Sequence, residues 1–146
     1  GYRGMIGGQL VDIQWEGKTA EPSLVEFIHS RKTGALITAS VVSGAILAGA
    51  DEPQIKAMTS YGEKTGLAFQ IADDILDIEG DSNAMGKTAG ADKKMGKVTY
   101  PAVVGLDRSR EIQEKLIEAA IESLATFGSL AEPLRLIARY IVERNK

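Results

Sequence analysis

The chain has 146 residues, 44% hydrophobic and 25% charged, with a formal net charge of −3 and no cysteine. That length supports one hydrophobic core and gives no reason to expect two domains. The slight acidity excludes a general attraction to nucleic acid or anionic membrane surfaces, so an anionic partner must be held by a local basic cluster, and the lack of cysteine excludes disulfides and thiolate metal sites and agrees with a reducing cytoplasm.

The chain opens on Gly1-Tyr2-Arg3-Gly4, with neither an initiator methionine nor an apolar leader, so no signal peptide is expected. A first helix is predicted from Arg3 to about Trp15, ending near Gly17. A second starts around Pro22, a good first-turn residue, and ends at Gly49. It includes eighteen uncharged residues, Thr33 to Ala50, whose three glycines and four hydroxyl residues make it too weakly hydrophobic for a membrane span. Such small residues predict a buried helix inside a bundle or at a subunit interface. Asp51-Glu52-Pro53-Gln54 reads as a capping box opening a third helix that continues through Ile78 and stops at Gly80. After a glycine-rich stretch over 80–99 come a short helix, Pro101 to Leu106, and an amphipathic one, Ser109 to Phe127, closed by Gly128. Ser129-Leu130-Ala131-Glu132 offers a second capping box for a last helix reaching Asn145. Alternating β-branched runs and internal repeats are absent, so the fold class is all-α.

The third helix carries the chemistry. Residues 66–81, GLAFQIADDILDIEGD, set Asp73, Asp74, Asp77 and Glu79 into an otherwise apolar pattern. At about 100° per residue, Asp73 and Asp77 lie about 40° apart and Gln70 shares their face, while Asp74 sits about 100° to the side. Like charges so spaced destabilise a bare helix, and the C-terminal end of the macrodipole disfavours them further. A hard divalent cation is the natural counter-charge. Oxygen-only ligands, few per helix, fit Mg²⁺, which keeps several waters and shares its remaining positions with phosphate oxygens. Asp77-x-Glu79-x-Asp81 mimics the start of a calcium-binding EF-hand loop, but Ser82 stands where glycine is needed and Thr88 where a bidentate glutamate is needed. Two basic elements complement the acids. One is the loop containing Lys87, Lys93, Lys94 and Lys97, with glycines at 86, 90 and 96; the other is Arg31-Lys32-Thr33-Gly34. Together they point to a diphosphate held between carboxylate-bound metal and lysines. His29, the only histidine, lies one turn before Lys32 and reads as a satisfied helix residue rather than a base.

These residues resemble a known family. F-Q-x-x-D-D-I-L-D over 69–77 looks like the second aspartate-rich motif of the trans-polyprenyl diphosphate synthases. Lys32-Thr33-Gly34 resembles their K-T-G, Gly86-Lys87-x-x-Gly90-x-Asp92 their G-K-x-x-G-x-D, and Gly96-Lys97-x-Thr99-Tyr100-Pro101 the G-K-x-T-x-P that follows. Gly7-Gly8-Gln9 with Asp12 matches the helix before K-T-G, and the ending Arg144-Asn145-Lys146 is similar to bacterial farnesyl diphosphate synthases. The resemblance implies the C-terminal part of an isoprenoid synthase helical bundle, with residues 1–146 belonging to a single domain. It implies Mg²⁺-assisted ionisation of an allylic diphosphate, attack by isopentenyl diphosphate and loss of a proton. Carried over by motif, Asp73 would ligate one Mg²⁺ directly and Asp74 and Asp77 would help directly or through waters. Lys32 and Lys87 would contact the allylic diphosphate, Thr33 and Gln70 would line the reacting end, and Phe69 would border the isopentenyl site. Lys97, Arg144 and Lys146 would add positive charge over the diphosphates. A cytoplasmic homodimer is implied as well.

One departure stands out. The family's first aspartate-rich motif, D-D-x-x-D, is absent, and residues 1–31 contain no paired aspartates. The expectation is therefore a piece of an enzyme about twice this length that holds one wall of the site, is inactive alone and exposes apolar surface that drives self-association. Product length cannot be read from these residues: farnesyl is preferred from the terminal resemblance, with geranylgeranyl as the alternative. Two rival readings are a non-catalytic helical subunit, which has little need of Lys32, Gln70, Asp73 and Lys87 together, and a terpene cyclase, against which the K-T-G and G-K-x-x-G-x-D elements argue.

Overall fold

The computed structural model describes residues 1–79 and 96–143, and among them there is no strand. Among the described residues seven α-helices follow in order: α1 (Met5–Trp15), α2 (Pro22–His29), α3 (Ala35–Leu47), α4 (Glu52–Glu79), α5 (Tyr100–Val104), α6 (Leu106–Ser123) and α7 (Glu132–Glu143). A π-helical segment, Ser30–Gly34, joins α2 to α3, and a 3₁₀ segment, Ala125–Ala131, joins α6 to α7.

Helix α4 is the axis on which α2, α3, α5, α6 and α7 pack, while α1 packs on the π segment and α2. Its start is set locally. The Asp51 carboxylate accepts the Gln54 N–H at 2.9 Å and the Gln54 side chain accepts the Asp51 N–H at 2.9 Å, the reciprocal pair of a capping box. Two apolar clusters flank α4. On one side Tyr61, Ala68 and Ala72 meet Ile117, Ala120 and Leu124 of the α6 region and Ala138 and Ile141 of α7. On the other, Leu67, Ile71 and Ile75 pack with Val25 of α2, Val98 and Tyr100. The Tyr61 hydroxyl donates to the Leu134 carbonyl at 2.8 Å, tying α4 to α7.

The second predicted helix is interrupted. Over Ser30–Gly34 the backbone widens into a π-helical turn before α3 resumes. The cause is non-local: three elements cross here at distances only glycine permits. A Cβ on Gly66 of α4 would stand 2.7 Å from Gly34 Cα, and one on Gly8 of α1 would stand 2.8 Å from Lys32 Cα. An extra residue in this turn swings Lys32 towards α1 and Thr33 towards α4.

The uncharged stretch also differs from its expectation. Helix α3 has no buried residue, and Leu36, Ile46 and Leu47 are exposed, because it packs on α4 along one side only. Met5, Ile6, Leu10 and Ile13 of α1 are exposed in the same way. No helix of the described residues is long and apolar enough to cross a membrane.

Towards the C-terminus the boundaries shift. Gly105, at φ +86°, separates α5 from α6, so α6 begins at Leu106 rather than Ser109. It ends at Ser123, where buried Leu124 turns inward; Gly128, at φ +57°, then turns the chain inside the 3₁₀ segment. The expected capping box at Ser129 and Glu132 gives way to this segment, and Glu132 pairs instead with Arg135 and Arg139. Arg135 also donates to the Leu124 carbonyl at 3.0 Å, satisfying an acceptor left by the end of α6.

Candidate active site

The π segment, the C-terminal half of α4 and the residues leading into α5 converge on one small cavity of about 30 Å³. Its lining includes Asp12 of α1, His29 of α2, Lys32, Gln70 and Asp74 of α4, and Lys97 and Thr99. Four helical elements thus contribute polar side chains to one spot.

Lys32 reaches across to α1. Its Nζ donates to Asp12 Oδ2 at 2.6 Å, with the carboxylate almost fully buried and the lysine side chain about 29% exposed. An ammonium has three donors, so two N–H groups remain after the bond to Asp12, on the more exposed partner of the pair. Thr33 Oγ1 donates to Gln70 Oε1 at 2.7 Å, orienting the amide so that its NH₂ remains available as a donor.

The three aspartates of α4 separate by environment. Asp73 and Asp77 are partly exposed. Asp74 is 3% exposed, and its Oδ2 accepts two hydrogen bonds, from His29 Nε2 at 2.7 Å and from the Tyr100 backbone N–H at 2.9 Å. A carboxylate can only accept, which places the proton on Nε2. The rings of His29 and Tyr100 lie 5.6 Å apart and tilted by 38°. Burial, then the negative charges of Glu26 and Asp74, push the Tyr100 hydroxyl well above the ordinary tyrosine range.

Among the described residues no three acidic or histidine side chains converge as a metal cage. The partly exposed carboxylates of Asp73 and Asp77, one turn apart, are oxygen donors of the kind that hold Mg²⁺ with waters and phosphate oxygens completing its shell.

The structure brings Lys32, Thr33, Gln70 and Lys97 together with the inner side of the aspartate motif. Phe69 lies apart from them, packed against the α4–α6–α7 cluster. Lys87, Arg144 and Lys146 lie outside the described residues. His29 is buried and its Nε2 is bonded to Asp74, but its Nδ1 is buried without a partner among the described residues, so the expectation of a fully satisfied helix residue holds for one ring nitrogen only. Sequence reasoning did not find the Asp12–Lys32 and His29–Asp74 pairs; they join residues 20 and 45 positions apart on different helices, for which local spacing carries no signal.

The profile of the polyprenyl synthetase family matches residues 2–132. The chain belongs to the polyprenyl synthetase family. This synthetase-family chain is 44% identical over 146 residues to a dimethylallyltranstransferase of Fischerella ambigua, covering 99% of the chain and 42% of that protein. It is 43% identical over 150 residues to the farnesyl diphosphate synthase of Escherichia coli, covering all of the chain and 50% of the relative. The chain therefore spans about half the length of such relatives. Among solved structures, an FPP/GFPP synthase from Zymomonas mobilis superposes with a TM-score of 0.82 at 37% identity, over 97% of this chain and 46% of that one. A Helicobacter pylori geranyltransferase complexed with magnesium and isoprenyl diphosphate gives 0.81 at 30% identity, over 99% and 47%. These neighbours share the all-helical architecture.

Proposed function

We propose that residues 1–146 form the C-terminal part of a single-domain prenyl diphosphate synthase, a transferase that condenses isopentenyl diphosphate with an allylic diphosphate to give farnesyl diphosphate. The observation that carries this reading is the convergence of Lys32, held by Asp12, with Lys97 and with Gln70 and Asp74 of α4 on one cavity beside the Thr33–Gln70 bond. Lys32 offers its remaining N–H groups to the allylic diphosphate, and Lys97 adds charge from the neighbouring segment. Thr33 and Gln70 line the reacting end, with Phe69 towards the isopentenyl side and Lys87 as a further diphosphate contact. Asp73 and Asp77 would hold Mg²⁺, with Asp74 behind them. When bound, Mg²⁺ supplies positive charge that offsets the charge gathering on the departing diphosphate.

The residues do not include a D-D-x-x-D before the K-T-G motif, so this chain alone carries no condensation activity. The complete protein is a cytoplasmic homodimer on the same reading, with geranylgeranyl diphosphate as the alternative product.

Calorimetric titration of the chain with inorganic pyrophosphate, with and without Mg²⁺, tests the half-site. The expected result is Mg²⁺-dependent binding, weakened about tenfold or more by Lys32→Ala, the loss of one charge-assisted contact. Mg²⁺-dependent binding that is indifferent to both Lys32→Ala and Asp73→Asn refutes the reading. Product analysis of the complete synthase with allylic and isopentenyl diphosphates decides the chain length.

A further inference from the structure

We propose that His29 and Asp74 are positioning residues, a buried brace that sets Lys32 and Lys97 against the metal-binding face of α4. The inference rests on the functional reading above and adds a division of labour among the three aspartates.

One carboxylate oxygen is the node. Asp74 Oδ2 collects the His29 Nε2–H at 2.7 Å and the Tyr100 N–H at 2.9 Å, with both side chains of the pair about 95% buried. Each of the three joined segments carries a ligand-directed group close by. His29 is three residues before Lys32, Tyr100 three residues after Lys97, and Asp74 next to Asp73. The node thus lies within three residues along the chain of every described charge assigned to the diphosphate or its metal, Asp77 included.

Burial makes the brace strict. A carboxylate out of water needs its donors, and losing one leaves a charged acceptor uncompensated. Rotation of the π segment about α4 would remove the imidazole, and withdrawal of α5 would remove the N–H. Both motions are opposed by the same oxygen, so the two lysine-bearing segments are registered to α4 together. Asp73 and Asp77 are partly exposed, where a metal and its waters can reach them.

A double-variant cycle discriminates between a brace and a ligand, because a brace acts only through the pair whereas a metal-binding carboxylate acts without His29. The readout is the affinity of the 146-residue chain for magnesium pyrophosphate. Asp74→Ala and His29→Leu should each weaken it about tenfold, the double variant no further, and His29→Gln, which restores a donor, should recover most of the loss. Because His29 is the only histidine, ¹⁵N labelling of the parent chain reports one ring; its Nε2–H should exchange slowly with solvent, a readout independent of whether any variant folds. A loss in Asp74→Ala as large as that in Asp73→Asn with His29→Leu unchanged overturns the brace, as do additive losses in the double variant or a freely exchanging ring proton. A parent chain that binds no magnesium pyrophosphate overturns the functional reading and this inference with it, a pattern distinct from a loss confined to the variants.

Discussion

Replacing Gly66 by alanine tests whether the π segment is imposed by helix crossing. The added Cβ would stand 2.7 Å from Gly34 Cα, with the Gly34 carbonyl oxygen at 3.4 Å and carbon at 3.5 Å, all backbone atoms that no rotamer change can move. Ordinary contact begins near 3.4 Å, so α4 and the π segment must separate by about 0.7 Å. Overpacking of this kind costs about 1–3 kcal/mol, and the preference of a helix for alanine over glycine returns up to about 1 kcal/mol. The net expectation is a loss of about 1–2 kcal/mol, or a fall in melting temperature of about 2–8 °C for a chain of this size. The control is the same substitution at Gly44 of α3, where a Cβ would meet nothing within 4 Å; there the helix preference acts alone and should stabilise by about 0.5–1 kcal/mol. Thermal and urea unfolding followed by far-ultraviolet circular dichroism measure both. Equal effects at the two positions, or an unchanged melting temperature at Gly66, would refute the argument that close backbone contact shapes the K-T-G segment.

Asp51→Ala removes the acceptor for the Gln54 N–H and should destabilise the chain by about 1 kcal/mol, read as a shift of the urea midpoint without a change in slope. Burial raises the hydroxyl pKa of both Tyr61 and Tyr100 above the ordinary value of 10.0, so between pH 10 and those raised values the native state holds protons that the unfolded chain has released. Stability should therefore be intact below about pH 10 and fall above it, by up to about 1.4 kcal/mol per pH unit for each tyrosine, with a shallower fall in Tyr61→Phe; urea titrations from pH 8 to 11 measure the slope.

What could be read from the residues alone follows the range of the forces involved. The Asp51–Gln54 cap spans three positions and forms as its spacing requires. Helical periodicity put Asp74 off the face shared by Asp73 and Asp77, and the structure buries it there. Its partner could not be found that way, since His29 is brought over by the packing of α2 on α4. The π segment was equally hidden: Ser30 to Gly34 are compatible with an ordinary helix, and the distortion comes from Gly8 and Gly66 on two other helices. The uncharged residues of α3 point to an interior, yet among the described residues α4 and the π segment cover them along one side only. At the other end, Gly128 was read as a helix stop, but the helix ends at Ser123, where burial of Leu124 overrides local propensity.

The glycines of the crossings carry no charge and no side chain, yet Gly8 admits the backbone of Lys32, Gly62 that of Thr38 and Gly66 that of Gly34. Shape and reactivity are therefore written in different letters of this chain. A descendant that kept those three glycines while losing Lys32 and Asp73 would retain the same silhouette and be chemically mute, so ancestry is inscribed in the smallest residues and vocation in the charged ones.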